Sequence, residues 1–96
     1  MYSVWTVEIL PKALKQLEKL DKPVKTRILK WLEYRLESGA TNPYLWGKQL
    51  DGNKLGHLWC YRIGDYRVIC FIDEAIVKVA VVTVGHRRDV YDENFS

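Results

Sequence analysis

Residues 4–9 alternate, with Trp5, Val7 and Ile9 on one side and Val4, Thr6 and Glu8 on the other, the period-two pattern of a strand with one buried face. From Leu10 the period lengthens. Pro11 suits a first helical turn, and Leu10, Ala13, Leu14, Leu17 and Leu20 recur at intervals of three and four, leaving Lys12, Lys15 and Lys19 on the wet side. Asp21 is placed to cap a second helix that opens near Pro23, runs through Val24, Ile28, Trp31, Leu32 and Leu36, and stops at Gly39. The two helices are expected to form a hairpin. Residues 40–54, rich in Gly, Asn, Pro and Asp, predict an irregular surface connection with a short turn near Leu45. Three strand-like runs follow, 57–63, 66–72 and 75–84, parted only by Gly64-Asp65 and Asp73-Glu74, the pattern of an antiparallel meander.

The order β-α-α-β-β-β predicts a small α+β domain: an antiparallel sheet with a helical hairpin packed on one face and the other face free for function. With 96 residues there is room for one core, so residues 1–96 are read as a single domain. The balance of 48% hydrophobic to 28% charged residues is that of an ordinary globular protein and excludes a disordered chain. No apolar run approaches the roughly 20 residues that cross a bilayer, and the N-terminus carries no basic segment ahead of a long apolar one; the expected location is the cytoplasm. Cys60 and Cys70 lack the spacing of a zinc site and are too few for a disulfide framework, so both are read as buried strand residues. The net charge of +3 favours an acidic partner without identifying it.

The candidate chemistry lies around the Gly64-Asp65 loop. A two-residue hairpin pairs Ile63 with Tyr66 and sets Arg62 opposite Arg67 on the next rung. Like charges facing each other across a sheet cost roughly a few tenths of a kcal/mol, which an anion held between them would reverse. The bland alternative is that both side chains reach out to solvent or pair with Asp65, Asp89 or Glu93. The end of the last strand returns beside Arg67 and continues into Gly85-His86-Arg87-Arg88, so Arg62, Arg67, Arg87 and His86 converge at one sheet end, with Tyr91 a few residues on. Arginine's planar fork of donors matches phosphate oxygens and stays charged, which suits stabilising a phosphorane transition state. Tyr44, Trp46, Trp59, Tyr61, Tyr66 and Tyr91 are aromatic faces near strand ends or loops on which unpaired bases can stack, whereas Trp5 and Trp31 are read as packing. A lone His57, with no second ligand at metal spacing, is read as a strand-end residue.

The segments 58–67 (LWCYRIGDYR) and 84–91 (VGHRRDVY) resemble the RelE branch of the RelE/ParE toxin superfamily of type II toxin-antitoxin systems. The helical hairpin, the segment 48–52 (KQLDG) and those two motifs stand in the order that family shows, so the resemblance spans nearly the whole chain. It implies a metal-independent and cofactor-free endoribonuclease that cleaves messenger RNA in the ribosomal A site by attack of a ribose 2′-hydroxyl on the adjacent phosphate. Arg67 matches the family's arginine in the strand after the hairpin, Arg87 the arginine just past the last strand, and Tyr91 its near-terminal tyrosine. Arg62 falls on the second of two alternating lysines found in some members, and Cys60 on the first, a departure from the pattern.

Because arginine is a poor base, with a pKa above about 12, the proton work is expected to fall to His86 and Tyr91. Arg88, Lys54 and Trp59 are the residues expected to contact RNA. Two other functions share the fold: a ParE-type gyrase-inhibiting binder, and a decayed toxin that retains only partner binding, which Cys60 keeps open. The resemblance also implies a cognate antitoxin whose segment folds over the toxin, on the wet sides of the helices or an open sheet edge. Operator DNA is an indirect partner, through that antitoxin; no DNA-binding motif occurs in this sequence.

Overall fold

In a computed structural model describing residues 5–37, 42–50 and 58–88, the alternating run at the N-terminus is strand β1, Thr6–Ile9, and the two amphipathic segments are helices α1, Pro11–Glu18, and α2, Lys22–Leu32. A π-helical turn, Glu33–Glu37, extends α2, and a 3-10 turn, Pro43–Trp46, leads into a short strand β2, Gly47–Gln49. The meander is β3, Leu58–Ile63, β4, Tyr66–Asp73, and β5, Lys78–His86. The expected stop at Gly39 lies outside the described residues.

The sheet has five strands in the order β1-β5-β4-β3-β2. Two features differ from expectation. Residues 47–49 form an edge strand instead of part of a loop, pairing antiparallel with β3. The sheet is also mixed, because β1 lies parallel to β5, with Thr6 N–H donating to Val77 O and Leu10 N–H to Val81 O, both at 3.0 Å. A parallel neighbour needs a long connection, and here it is the whole run from α1 through β4: the helices carry the chain to β2 at the far edge, and the meander returns it to β1. A sequence pattern shows which face of β1 is buried but not which strand it joins.

Both helices pack on one face of this sheet. Ala13 and Leu17 from α1, Ile28 and Leu32 from α2, and Leu36 from the π turn close over Tyr61, Ile63, Val68, Cys70, Ile72, Val79, Val81 and Val84. Leu14, assigned to the apolar stripe of α1, is exposed, while Lys12, Lys15 and Lys19 face solvent as expected. Asp21 sits at the N-cap of α2, but its side chain makes no capping hydrogen bond; its carbonyl accepts from Lys25 N–H at 2.9 Å. Gln16 Oε1 accepts from Val84 N–H at 2.7 Å, tying α1 to β5.

The opposite face is not bare. Cys60 and Ile69 are buried there with Leu50 and Leu58 packed against them, and Arg67 and Thr83 are buried on it too. Two irregularities in β5 decide what reaches that face. The turn before it spans 74–77 rather than Asp73-Glu74, with Val77 in the left-handed region at φ 53°. A bulge between Ile69 and Cys70 then shifts the β4–β5 register by one residue. Beyond that bulge every β5 side chain changes sides relative to a regular ladder. Among the described residues, no helix is long and apolar enough to cross a membrane.

Candidate functional site at the arginine-bearing end of the sheet

The pairing of Ile63 with Tyr66 and of Arg62 with Arg67 holds in the structure. The two arginines share a rung but not an environment. Arg62 is exposed, whereas Arg67 is only 9% exposed, and its Nη1 donates to Gly64 O at 3.0 Å and Tyr66 O at 2.9 Å. Arg67 thus curls back over the turn, neither free in solvent nor paired with Asp65. Its Nε is buried and has no hydrogen-bond partner among the described residues, and the same holds for Thr83 Oγ1. Thr83 pairs with Ile69, two residues along β4 from Arg67, so both unfilled polar atoms belong to the same face. An unsatisfied buried donor costs about 1–3 kcal/mol, a cost that an incoming acceptor removes.

From the helix layer a further arginine meets the same turn. Gly64 adopts φ 60°, and the Arg27 guanidinium lies 2.8 Å from where a Cβ on Gly64 would sit. Arg27 is not among the positions that the sequence pattern singles out, and its contact with a turn 37 positions away is a tertiary fact that no local pattern carries.

The end of β5 is fastened to this turn by Arg87 N–H, which donates to Asp65 O at 2.8 Å, and the side chains of Arg87 and Arg88 are exposed. His86 stands elsewhere. It pairs with Tyr66, and the two rings meet edge-to-face at 5.6 Å and 82°. By pleat alternation Tyr66 and His86 belong to the helix-bearing side, while Arg62 and Arg67 belong to the other. His86 Nδ1 accepts from Arg88 N–H at 3.2 Å, so in the neutral ring the proton resides on Nε2.

Trp59 likewise lies on the helix side, packed against the main core and set edge-on to Tyr44 at 4.8 Å and 65°. Burial first, then a hydrogen bond to the Glu74 carboxylate and the charges of Glu74 and Asp73, push the Tyr44 phenol up to about 12, so it stays protonated near neutrality. Tyr61 is wholly core, with its hydroxyl donating to Pro43 O at 2.9 Å. Lys54, Tyr91, His57, Asp89 and Glu93 lie outside the described residues. The structure therefore brings together Arg62, Arg67 and the Arg87 backbone, adds Arg27, and sets His86 and Trp59 on the other side of the sheet.

Two open grooves flank this cluster. One, of about 320 Å³, is lined by Leu45, Trp46, Gly47, Lys48, Cys60 and Arg62. The other, of about 520 Å³, runs along α2 and the π turn between Arg27, Lys30, Trp31, Tyr34 and Arg35. Arg35 joins them: its guanidinium carbon lies 4.4 Å from the Trp46 ring centroid and 6.0 Å from that of Trp31. Lys48 escaped sequence reasoning because residues 47–49 offer too short a run to mark a strand.

A two-helix layer on one face of a mixed sheet, with guanidinium groups gathered at one end, defines a small basic α+β protein suited to holding polyanions. A family model described as the ParE toxin of type II toxin-antitoxin systems matches residues 7–91, and this chain belongs to that family, on the RelE-like side of the RelE/ParE superfamily. Among solved structures, the RelBE2 toxin-antitoxin complex of Mycobacterium tuberculosis is 25% identical, covering 88% of this chain and 100% of that one at a TM-score of 0.75. The archaeal RelE-RelB complex of Pyrococcus horikoshii is also 25% identical, covering 88% and 97% at 0.68. A variant of the E. coli RelE toxin in the free state is 30% identical, covering 95% and 94% at 0.63. Comparison with curated protein sequences gives no match.

Proposed function

We propose that this type II toxin acts as a ribosome-dependent endoribonuclease, cleaving messenger RNA by attack of a ribose 2′-hydroxyl on the neighbouring phosphate. The observation that carries this reading is the convergence of Arg62, Arg67 and Arg87 on the Gly64-Asp65 turn, where the Arg87 N–H to Asp65 O bond of 2.8 Å brings the end of β5 to the arginine rung. Arg62 and Arg87, both exposed, supply charge to the phosphate, and Arg67, with Nε unfilled, offers a fixed donor at the floor. Tyr91 is assigned to proton transfer. His86, whose Nδ1 accepts from Arg88 N–H and whose ring lies on the helix side, offers Nε2–H as a hydrogen-bond donor but in that neutral form is not the general acid, so the proton work falls chiefly to Tyr91. Arg88 and Lys54 add charge along the path of the RNA strand, and Trp59 is the weakest member of the set because its ring packs on the helix side.

The mycobacterial and archaeal relatives are toxin-antitoxin complexes, and on that basis the proposed protein partner is a cognate antitoxin. An operator would be reached only through that antitoxin. One observation favours a second reading, a ParE-type binder that disables gyrase: Arg67 spends its Nη1 on two backbone carbonyls, a structural use that requires no substrate.

Mapping the 5′ ends of a reporter message in a translation extract separates these readings, with ribosomes present or omitted. The nuclease gives ribosome-dependent cuts within codons, reduced about a hundredfold or more in Arg62→Ala, Arg87→Ala and Tyr91→Phe. An intact message together with lost gyrase supercoiling establishes the binder instead.

A further inference from the structure

We infer that Lys48, on the edge strand β2, is a phosphate-positioning residue of the same site, reaching across the 320 Å³ groove toward the strand held by Arg62. The inference rests on the endoribonuclease reading and extends its site by one strand. Three observations meet here.

First, Lys48 is paired in register with Cys60, so its side chain leaves the sheet on the face that carries Cys60 and Arg62. Directly paired residues stand about 4.5–5.5 Å apart at Cβ, and diagonal ones about 7–8 Å. The Lys48 amine is therefore within reach of any phosphate that touches Arg62, and both side chains are exposed.

Second, the floor between the two cations is the small, buried side chain of Cys60. A larger residue there would fill the space that the groove occupies. The same cysteine that leaves this strand one cation short opens room for the cation of the adjacent strand.

Third, the groove has an aromatic wall held in place. Trp46 is 40% exposed, immediately precedes β2, and is held by the Arg35 guanidinium at 4.4 Å from its ring centroid. Two cations beside a fixed aromatic surface form the pairing of charge and stacking platform that single-stranded nucleic acid takes up.

The test is single-turnover cleavage of a message on programmed ribosomes by the full chain at saturating toxin, comparing wild type with Lys48→Gln, Lys48→Arg and Lys22→Gln. Lys22 is exposed at the start of α2, in the helix layer, and controls for loss of one positive charge. The expected result is a rate constant at least about tenfold lower for Lys48→Gln, the scale of one lost charge-assisted hydrogen bond. Lys48→Arg should stay within about threefold of wild type, and Lys22→Gln should match it. Cleavage by Lys48→Gln at the wild-type rate, or an equal fall in Lys22→Gln, overturns the inference and leaves the endoribonuclease reading standing. A fall that Lys48→Arg does not rescue also overturns it, since a phosphate contact needs only the charge. If wild type does not cut, that reading fails and takes this one with it.

Discussion

Arg62 and Arg67 face each other across one rung of β3 and β4, yet only Arg62 reaches solvent; Arg67 folds back onto the carbonyls of Gly64 and Tyr66. The expected repulsion of two opposed cations is thereby relieved without an anion, by sending the two guanidiniums to different places. Their substitutions should separate stability from activity. Arg67→Ala is expected to destabilise the fold by about 1–3 kcal/mol, since two part-buried carbonyls lose a charged donor. Arg62→Ala should stay within about 0.5 kcal/mol of wild type. Urea unfolding midpoints at constant m check both, and equal midpoints for the two variants contradict the assignment.

Val77 carries a branched side chain at φ 53° in the turn before β5. Left-handed backbone costs a non-glycine residue roughly 1–2 kcal/mol. Val77→Gly is therefore expected to raise stability by about 1 kcal/mol, part of the relief being offset by the freer unfolded chain. A thermal midpoint that falls would show that the half-buried valine side chain outweighs the strain.

Cys70 gives the fold an alkaline limit. Burial lifts its thiol from 9.0 to about 12, with its contact to the Tyr61 hydroxyl opposing and the nearby Cys60 adding. A pKa raised in the folded state means stability is fully present below pH 9 and is lost as pH climbs from 9 toward 12, because the unfolded chain ionises first. Denaturant midpoints should be flat from pH 7 to 9 and fall above that, with the decline between pH 9 and 10 largely absent in Cys70→Ala. Above pH 10 the buried Tyr61 phenol, also raised by burial, pulls in the same direction.

Gly47 lies under the Tyr61 ring. A Cβ at position 47 would stand 2.8 Å from one ring carbon and 2.9 Å from the next, and Tyr61 is anchored at its far end by the bond to Pro43 O. Gly47→Ala is expected to cost about 1–3 kcal/mol through forced repacking of a buried ring. Loss of the near-ultraviolet signal of Tyr61 and its neighbour Trp31, whose centroid is 5.0 Å away, would report the displacement. An unchanged spectrum and midpoint would mean that the ring is free to move.

The local elements were legible because each is written in short-range pattern. The two-residue Gly64-Asp65 loop fixed the register that sets Arg62 against Arg67, and the three-and-four spacing of Ala13, Leu17, Ile28 and Leu32 marked the buried helix faces. What failed to show were features decided at a distance. The bulge at Ile69/Cys70 adds one residue to β5 and turns His86 away from Arg67 toward Tyr66, and no composition signal announces it. The partner of β1, the pairing of Lys48 with Cys60 and the seat of Arg27 over Gly64 are all contacts between segments far apart in the chain.

The side-by-side placement of β1 and β5 also governs when this protein can exist. Its first strand finds its neighbour only after residues 78–81 have been synthesised, so the sheet cannot be completed on a chain that is still being made for most of its length. A message broken or stalled before that point yields a product lacking the strand on which α1 and β1 both rest. For a toxin, this order of assembly makes harmlessness the default of every unfinished copy.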